Sequence, residues 1–178
     1  ACVLACALPL AAAGGLAAQA SRAPESQVKA VFLFNFAQFV EWPPEAFAGP
    51  DTPLVIGVLG ADPFEGFLDR TVLGEELRGR PFQVRRYRSA DEITTCHILF
   101  IGARDGERVE QILRRLATRP ILTVGDEDRF TERGGMIRFV TDQNRIRLRI
   151  NVEAAQAAGL TISSKLLRLA EIVTPQGR

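Results

Sequence analysis

A cysteine and a histidine, two residues that often act in nucleophilic catalysis, stand side by side at positions 96 and 97. A thiolate–imidazole pair needs both side chains on one side of the backbone, whereas neighbours in a strand point to opposite faces. His97 is the only histidine in the chain. We therefore predict no catalytic residue here, and we interpret Cys96 as a buried thiol or as a redox-sensing thiol that awaits an external partner.

Three consecutive acidic residues, Asp126-Glu127-Asp128, could offer carboxylates to a divalent cation. Such runs are more often helix caps and solvated charges, so we predict no metal site. A hydrolase that uses Asp62 and Asp126 is the weakest alternative, because it requires both carboxylates to converge in one pocket. The Gly-x-Gly-x-x-Gly and phosphate-loop spacings are absent, and we predict no cofactor.

Donors for an anionic group are concentrated near the C-terminus. Arg138 and the arginines of Arg145–Arg149 alternate with apolar residues, which favours one basic sheet face, either balanced by nearby acids or open to an anionic partner. The run Ser163-Ser164-Lys165 fits a helix N-cap as well as a ligand-binding turn. We predict that Arg138, Ser163, Ser164 and Lys165 bind an anionic or polar ligand.

Apolar runs and helix breakers indicate which elements position these residues. Ser26 is predicted to cap a helix that runs to about Glu41, because the prolines after Trp42 push the chain out of the helical region. The other elements predicted before residue 125 are strands at 54–59, 82–87, 97–102 and 121–124, a helix at 62–72 and a helix that starts at Asp105. This alternation predicts a single-domain α/β fold with a Rossmann-like, mostly parallel sheet flanked by helices.

The last third of the chain changes character. Residues 136–141 and 145–150 flank a turn at 142–144 and predict an antiparallel hairpin at the edge of the sheet. Helices are predicted at 152–158 and at 163–172, the second with Leu169 packed inward. Ligands of open α/β sheets bind beyond the carboxyl ends of the strands, so the loops 60–62, 102–105 and 125–128 are further candidates.

The first helix is apolar on more than one face, with nine large apolar residues between positions 28 and 42. Such a helix is either sandwiched between the sheet and the last helices, or it presents one face to a dimer mate or a partner protein. We predict that Phe34, Asn35 and Trp42 make the partner contacts.

The composition is that of an ordinary globular domain: 178 residues, 47% hydrophobic and 24% charged, with 22 basic and 21 acidic side chains. This balance argues against a basic nucleic-acid binder. The first twenty residues carry no charge, and we interpret residues 1–20 as a signal-peptide remnant cleaved after Ala20, with residues 21–178 as one domain. A membrane anchor, a buried helix and a lipoprotein signal at Cys6 are the alternatives. Cleavage leaves Cys96 as the single cysteine of an exported protein.

Four segments, at 28–43, 96–101, 134–137 and 159–167, together resemble the YfiR family of periplasmic proteins, and the resemblance extends from Gln27 to Val173. It implies a non-enzymatic periplasmic regulator that binds the periplasmic domain of an inner-membrane diguanylate cyclase and holds it inactive. Release of the cyclase then raises cyclic di-GMP and favours biofilm formation. A small-ligand-binding sensor for a nucleotide or an amino acid is the alternative function.

The resemblance also implies an outer-membrane lipoprotein that relieves the inhibition, and a homodimer is expected. Cys96 matches a disulfide position of the family in the segment Cys-His-Ile-Leu, but its partner cysteine is missing from this chain. Redox control by an intramolecular disulfide is therefore not expected.

Overall fold

A computed structural model describes residues 23–143 and 145–174. The predicted signal remnant at 1–20, with Cys2 and Cys6, and the turn residue Asn144 lie outside the described residues. The helices are α1 (Glu25–Phe39), α2 (Phe67–Val72), α3 (Gly106–Leu116), α4 (Val152–Ala157) and α5 (Ser164–Leu167). The strands are β1 (Val40–Glu41), β2 (Leu54–Gly60), β3 (Glu76–Leu77), β4 (Arg80–Tyr87), β5 (Ile98–Gly102), β6 (Leu122–Gly125), β7 (Ile137–Asp142), β8 (Arg145–Ile150), β9 (Thr161–Ile162) and β10 (Ala170–Ile172).

Eight of the described strands form one sheet in the order β10-β8-β7-β6-β5-β2-β4-β3. Neighbours are parallel except for the pairs β7–β8 and β3–β4. The predicted mostly parallel α/β fold is confirmed, and the C-terminal hairpin β7–β8 lies at one end of the sheet. β1 and β9 form a separate antiparallel pair, with Val40 opposite Ile162.

The central strands are buried on both faces, which explains why β2 is a continuous apolar run. One face packs against α1, α2, α4 and α5 through residues such as Leu33, Phe36 and Phe100. The other face packs against α3 through Leu99 and Ile101. The protein therefore has three layers, with α3 on the side of the sheet opposite α1.

Two predicted helix starts are wrong. Ser26 does not cap α1, which begins at Glu25 after Pro24 without a side-chain cap, and α1 ends at Phe39 because the next residues pair as β1. The predicted helix at 62–72 begins five residues late: the Asp62 carboxylate accepts a hydrogen bond from the Phe64 amide at 2.8 Å and closes a local turn. α2 is therefore a short helix at 67–72.

The helix predicted at 163–172 is also wrong in its second half. α5 is only four residues long, and the chain then extends as β10, parallel to β8. This strand pairs with the outer edge of the hairpin, whose backbone groups would otherwise lack partners. Leu169, predicted to pack inward, is 75% exposed.

Side-chain capping was predicted correctly for α3, where the Asp105 carboxylate accepts a hydrogen bond from the Glu107 amide.

None of the helices in the described residues is long and apolar enough to cross a membrane.

Candidate partner-binding surface

From Ala30 onward, the solvent-facing side of α1 carries no charged side chain. The sequence from Ala30 to Val40 contains no acidic or basic residue, and the side away from the sheet presents Val31, Asn35 and Gln38, spaced four and three residues apart. Val31 and Gln38 are exposed, and Asn35 is half-buried. A partner that covers this side of α1 would not have to desolvate an ion.

Phe34 and Trp42, the two aromatic residues predicted to contact a partner, are each half-buried against the sheet. The ring of Phe34 packs on that of Phe82 in β4, with 5.0 Å between centroids. The indole nitrogen of Trp42 donates a hydrogen bond to the His97 carbonyl oxygen at 3.1 Å. Each side chain is packed in part against the core and exposed in part, and its contact with a partner protein stays a prediction.

His97 joins Trp42 to the segment before β2. Its ring is fully buried and stacks on Phe47, with 4.5 Å between centroids. Nδ1 accepts a hydrogen bond from the Val55 amide at 3.0 Å, and Nε2 lies 3.2 Å from the Ala46 carbonyl oxygen. Burial lowers the pKa of His97 to about 4, so the ring is neutral near pH 7.

Lys29, a residue that the sequence analysis did not single out, anchors the start of α1. Its ammonium lies 2.6 Å from Glu25 and 2.8 Å from Asp126, and the side chain is only 7% exposed. Burial opposes the charge, but the hydrogen bonds to Asp126 and Glu25 prevail and raise the pKa of Lys29. The spacing of Glu25 and Lys29, four residues apart on a helix, was the sequence signal for this contact.

Each of the three acidic residues after β6 lies next to a basic side chain. Asp126 binds Lys29, Glu127 lies 3.6 Å from the Arg133 guanidinium, and Asp128 pairs with Arg138. Burial raises the pKa of Glu127. Within the described ranges, no group of three or more His, Cys, Asp and Glu side chains is arranged to hold a metal ion.

The predicted ligand residues fall in two places. Arg138 lies on β7 and is engaged by Asp128. Ser163 caps α5 by accepting from the Lys165 amide at 3.3 Å, while Ser164 and Lys165 are exposed. No hydrogen bond or ion pair among the described residues joins Arg138 to this run, and ligand binding by these four residues stays a prediction.

The basic face of the hairpin is balanced by acids, one of the two readings that the sequence left open. Arg147 pairs with Asp142 at 3.2 Å, and Arg149 pairs with Glu171 at 3.0 Å. Glu171 belongs to β10, so the unpredicted strand supplies part of this charge balance.

Cys96 lies in the core between the sheet and α3. Burial raises the pKa of its thiol to about 12, and Sγ contacts the Ile98 carbonyl oxygen at 3.2 Å. The thiolate, which is the reactive form, is therefore disfavoured in the folded chain. A redox role for Cys96 stays a prediction that requires the thiol to become exposed.

The fold and these surfaces define a three-layer α/β domain of the mostly parallel type. A family model with the description YfiR/HmsC-like matches residues 26–171, and the chain belongs to that family. Proteins of this family are periplasmic regulators of diguanylate cyclases and are not themselves enzymes.

The fold is also similar to a solved structure, an ABC domain in complex with L-Trp from Streptococcus pneumonia. The TM-score is 0.52 at 15% sequence identity, and the similarity covers 83% of this chain. This chain spans 60% of the length of that protein. At such low identity the likeness concerns the fold alone.

Proposed function

We propose that this protein binds the periplasmic domain of an inner-membrane diguanylate cyclase and holds the cyclase inactive. The observation that carries the proposal is the family match over residues 26–171, which includes nearly all of the described domain. Lower cyclic di-GMP and less biofilm are the expected consequences in the cell. The proposal includes export by a signal at residues 1–20, a homodimer, and an outer-membrane lipoprotein that relieves the inhibition.

The uncharged side of α1 is the surface that we propose for the cyclase. The centres of protein interfaces are depleted in charged residues, and this side offers an exposed apolar side chain, Val31, between polar uncharged neighbours. Our proposal includes Phe34, Asn35 and Trp42 as contact residues: Asn35 is on this side of α1, Phe34 precedes it in the helix, and Trp42 follows β1. Lys29, which is the basic residue of α1, is directed toward Asp126 and does not interrupt the surface.

Direct binding tests this proposal. The purified protein is titrated with the periplasmic domain of a membrane cyclase from the same cell, and complex formation is followed by sedimentation or biolayer interferometry. Val31→Arg and Asn35→Arg each place a charge in the proposed surface and should weaken binding at least tenfold, on the order of 1.4 kcal/mol. Thr118→Arg is the matched control, because position 118 is exposed after α3, in the layer on the other side of the sheet.

The same variants are then expressed in a strain that lacks the gene. Deletion should raise cyclic di-GMP, the Thr118→Arg protein should restore the low level, and the Val31→Arg protein should not. Unchanged cyclic di-GMP on deletion, together with no complex with any membrane cyclase of that cell, would contradict the function. Equal binding by all three variants would contradict the assignment of the surface to α1.

A further inference from the structure

A cleft lies at the carboxyl ends of β2 and β5, on the side of the sheet that carries α3. The chain runs from β2 to β4 on one side of β2 and returns to β5 on the other side, so the strand order reverses between β2 and β5. Ligands of open α/β sheets bind at this kind of switch point. The cleft has a volume of about 290 Å³ and is lined mainly by the loops 59–61 and 102–105 and by α3.

The floor of the cleft is bare backbone. The Ala61 amide donates a hydrogen bond to the Gly102 carbonyl oxygen at 3.0 Å, which joins the two loops. A Cβ atom on Gly102 would lie 1.9 Å from the Ala61 carbonyl oxygen, so only glycine permits this approach. Gly60, the last residue of β2, has a φ of 89° and turns the chain away from the strand direction. The two loops therefore meet without covering the cleft with side chains.

The walls combine two guanidinium groups with apolar surface. Arg104 and Arg108 line the cleft and are exposed, and among the described residues neither has an acidic side chain within 4.0 Å. Leu59 and Ile112 provide the apolar part. Asp105 also lines the cleft, but its carboxylate accepts from the Glu107 amide and caps α3. The lining therefore carries two basic side chains and one acidic side chain, and its excess positive charge comes from the arginines.

A second groove of about 180 Å³ continues the cleft along α3. It shares Leu59, Arg108 and Ile112 with the first and adds Arg88 and Arg115. Arg115 is held by Asp91 at 2.8 Å. Together the two spaces reach the size at which small-molecule sites begin, roughly 300 Å³.

We propose that this cleft binds a small organic phosphate, with the phosphate on Arg104 and Arg108 and the organic part against Leu59 and Ile112. Guanidinium groups bind phosphate through two parallel hydrogen bonds, and two of them lining one cleft favour a doubly charged group over a single carboxylate. The site lies in the layer opposite α1, so it can be filled while α1 contacts a partner. This inference goes beyond the proposed function and does not depend on it.

Calorimetric titration of the full chain tests the site with four probes: inorganic phosphate, ribose 5-phosphate, adenosine 5′-monophosphate and succinate. At least one organic phosphate should bind with submillimolar affinity and more tightly than inorganic phosphate, because only the organic probes use the apolar wall. The amide resonances of Gly60, Ala61, Gly102 and Ala103 should shift on binding. Tighter binding of succinate than of every phosphate would overturn the assigned chemistry.

Matched variants locate the site. Arg104→Gln and Arg108→Gln should each weaken the organic phosphate at least tenfold. Arg114→Gln removes the same charge from the same helix outside the cleft and should leave the affinity within twofold. Equal weakening by all three variants would show attraction by overall charge only, and no binding of any probe at millimolar concentration would refute the site. Both outcomes can be distinguished from failure of the cyclase proposal, because the titrations contain only this protein and the small-molecule probes and no cyclase.

Discussion

Acidification should destabilise this fold through His97. Its two ring nitrogens face an amide donor, Val55 N–H, and a carbonyl acceptor on Ala46. Both contacts are satisfied only by the neutral ring with its proton on Nε2. A second proton on Nδ1 would set two N–H groups against each other inside the core, where the ring is fully buried.

The size of the effect follows from the pKa. Burial lowers the pKa of His97 to about 4 from 6.5, so the unfolded chain takes up the proton at a higher pH than the folded chain does. The contribution to stability is fully present above pH 6.5 and is lost as the pH falls toward about 4. The free energy of unfolding should decrease by about 2 kcal/mol between about pH 7 and about pH 5, and by about 3 kcal/mol at about pH 4.

Urea unfolding followed by the fluorescence of Trp42 measures this loss. Trp42 is the only tryptophan of the chain, and its ring lies edge-on to His97, with 6.2 Å between centroids. With a denaturant slope of ~1–3 kcal/mol per molar, the expected loss at about pH 5 lowers the urea midpoint by about 1 M. His97 is the only histidine, so no other side chain has its ordinary pKa between about pH 7 and about pH 5.

His97→Asn is the control variant. Its amide oxygen can accept the Val55 N–H hydrogen bond, and the side chain does not titrate. The variant should be less stable at about pH 7, because it loses the ring stacked on Phe47, but its midpoint should change little down to about pH 5. Glu127, whose raised pKa acts in the opposite direction, is present in both proteins and cancels in their difference. The reasoning is refuted if the wild-type midpoint does not move, or if His97→Asn shows the same decrease.

Two further perturbations test the packing. Gly102→Ala should lower the free energy of unfolding by about 3 kcal/mol, because the new methyl group overlaps the Ala61 carbonyl oxygen. The control Gly49→Ala has nothing within 4 Å of the added atom and should lower the free energy of unfolding much less. Equal melting temperatures of the two variants would contradict the close approach of Gly102 to Ala61. In a chain with Cys2 and Cys6 replaced by serine, the Cys96 thiol should react with a disulfide reagent only after unfolding, because the thiol is buried and burial raises its pKa to about 12. Equal labelling rates with and without urea would show that the thiol is accessible in the folded protein.

The long apolar runs and the clear breakers made much of this fold predictable. β2, β5 and β6 were recognised because strands buried on both faces leave continuous apolar stretches, and the start of α3 was marked by the capping residue Asp105. The short strands β1, β3, β9 and β10 were missed. Two or three residues show no periodicity, and such strands exist only because a partner strand is already present.

The surface was less predictable than the core. Phe34 and Trp42 were predicted as contact residues because the first helix is apolar on more than one face, but large aromatic residues in such a segment can also pack inward, and both rings are half-buried. Exposure of Val31 became apparent only when the packing of α1 on the sheet was known. The loop at 102–105 was recognised as a candidate from strand topology, whereas the grouping of Arg104 with Arg108 depended on where α3 begins.

The pairing of β1 with β9 has a consequence for the order of folding. Val40 leaves the ribosome early and Ile162 late, yet the two residues are partners, and the Ser163 amide donates to the Phe39 carbonyl oxygen at 2.8 Å. The first helix cannot acquire its final anchoring until almost the whole chain has been made. Contacts between residues so distant in sequence slow folding, so the C-terminal end of α1 is expected to be fixed late in folding.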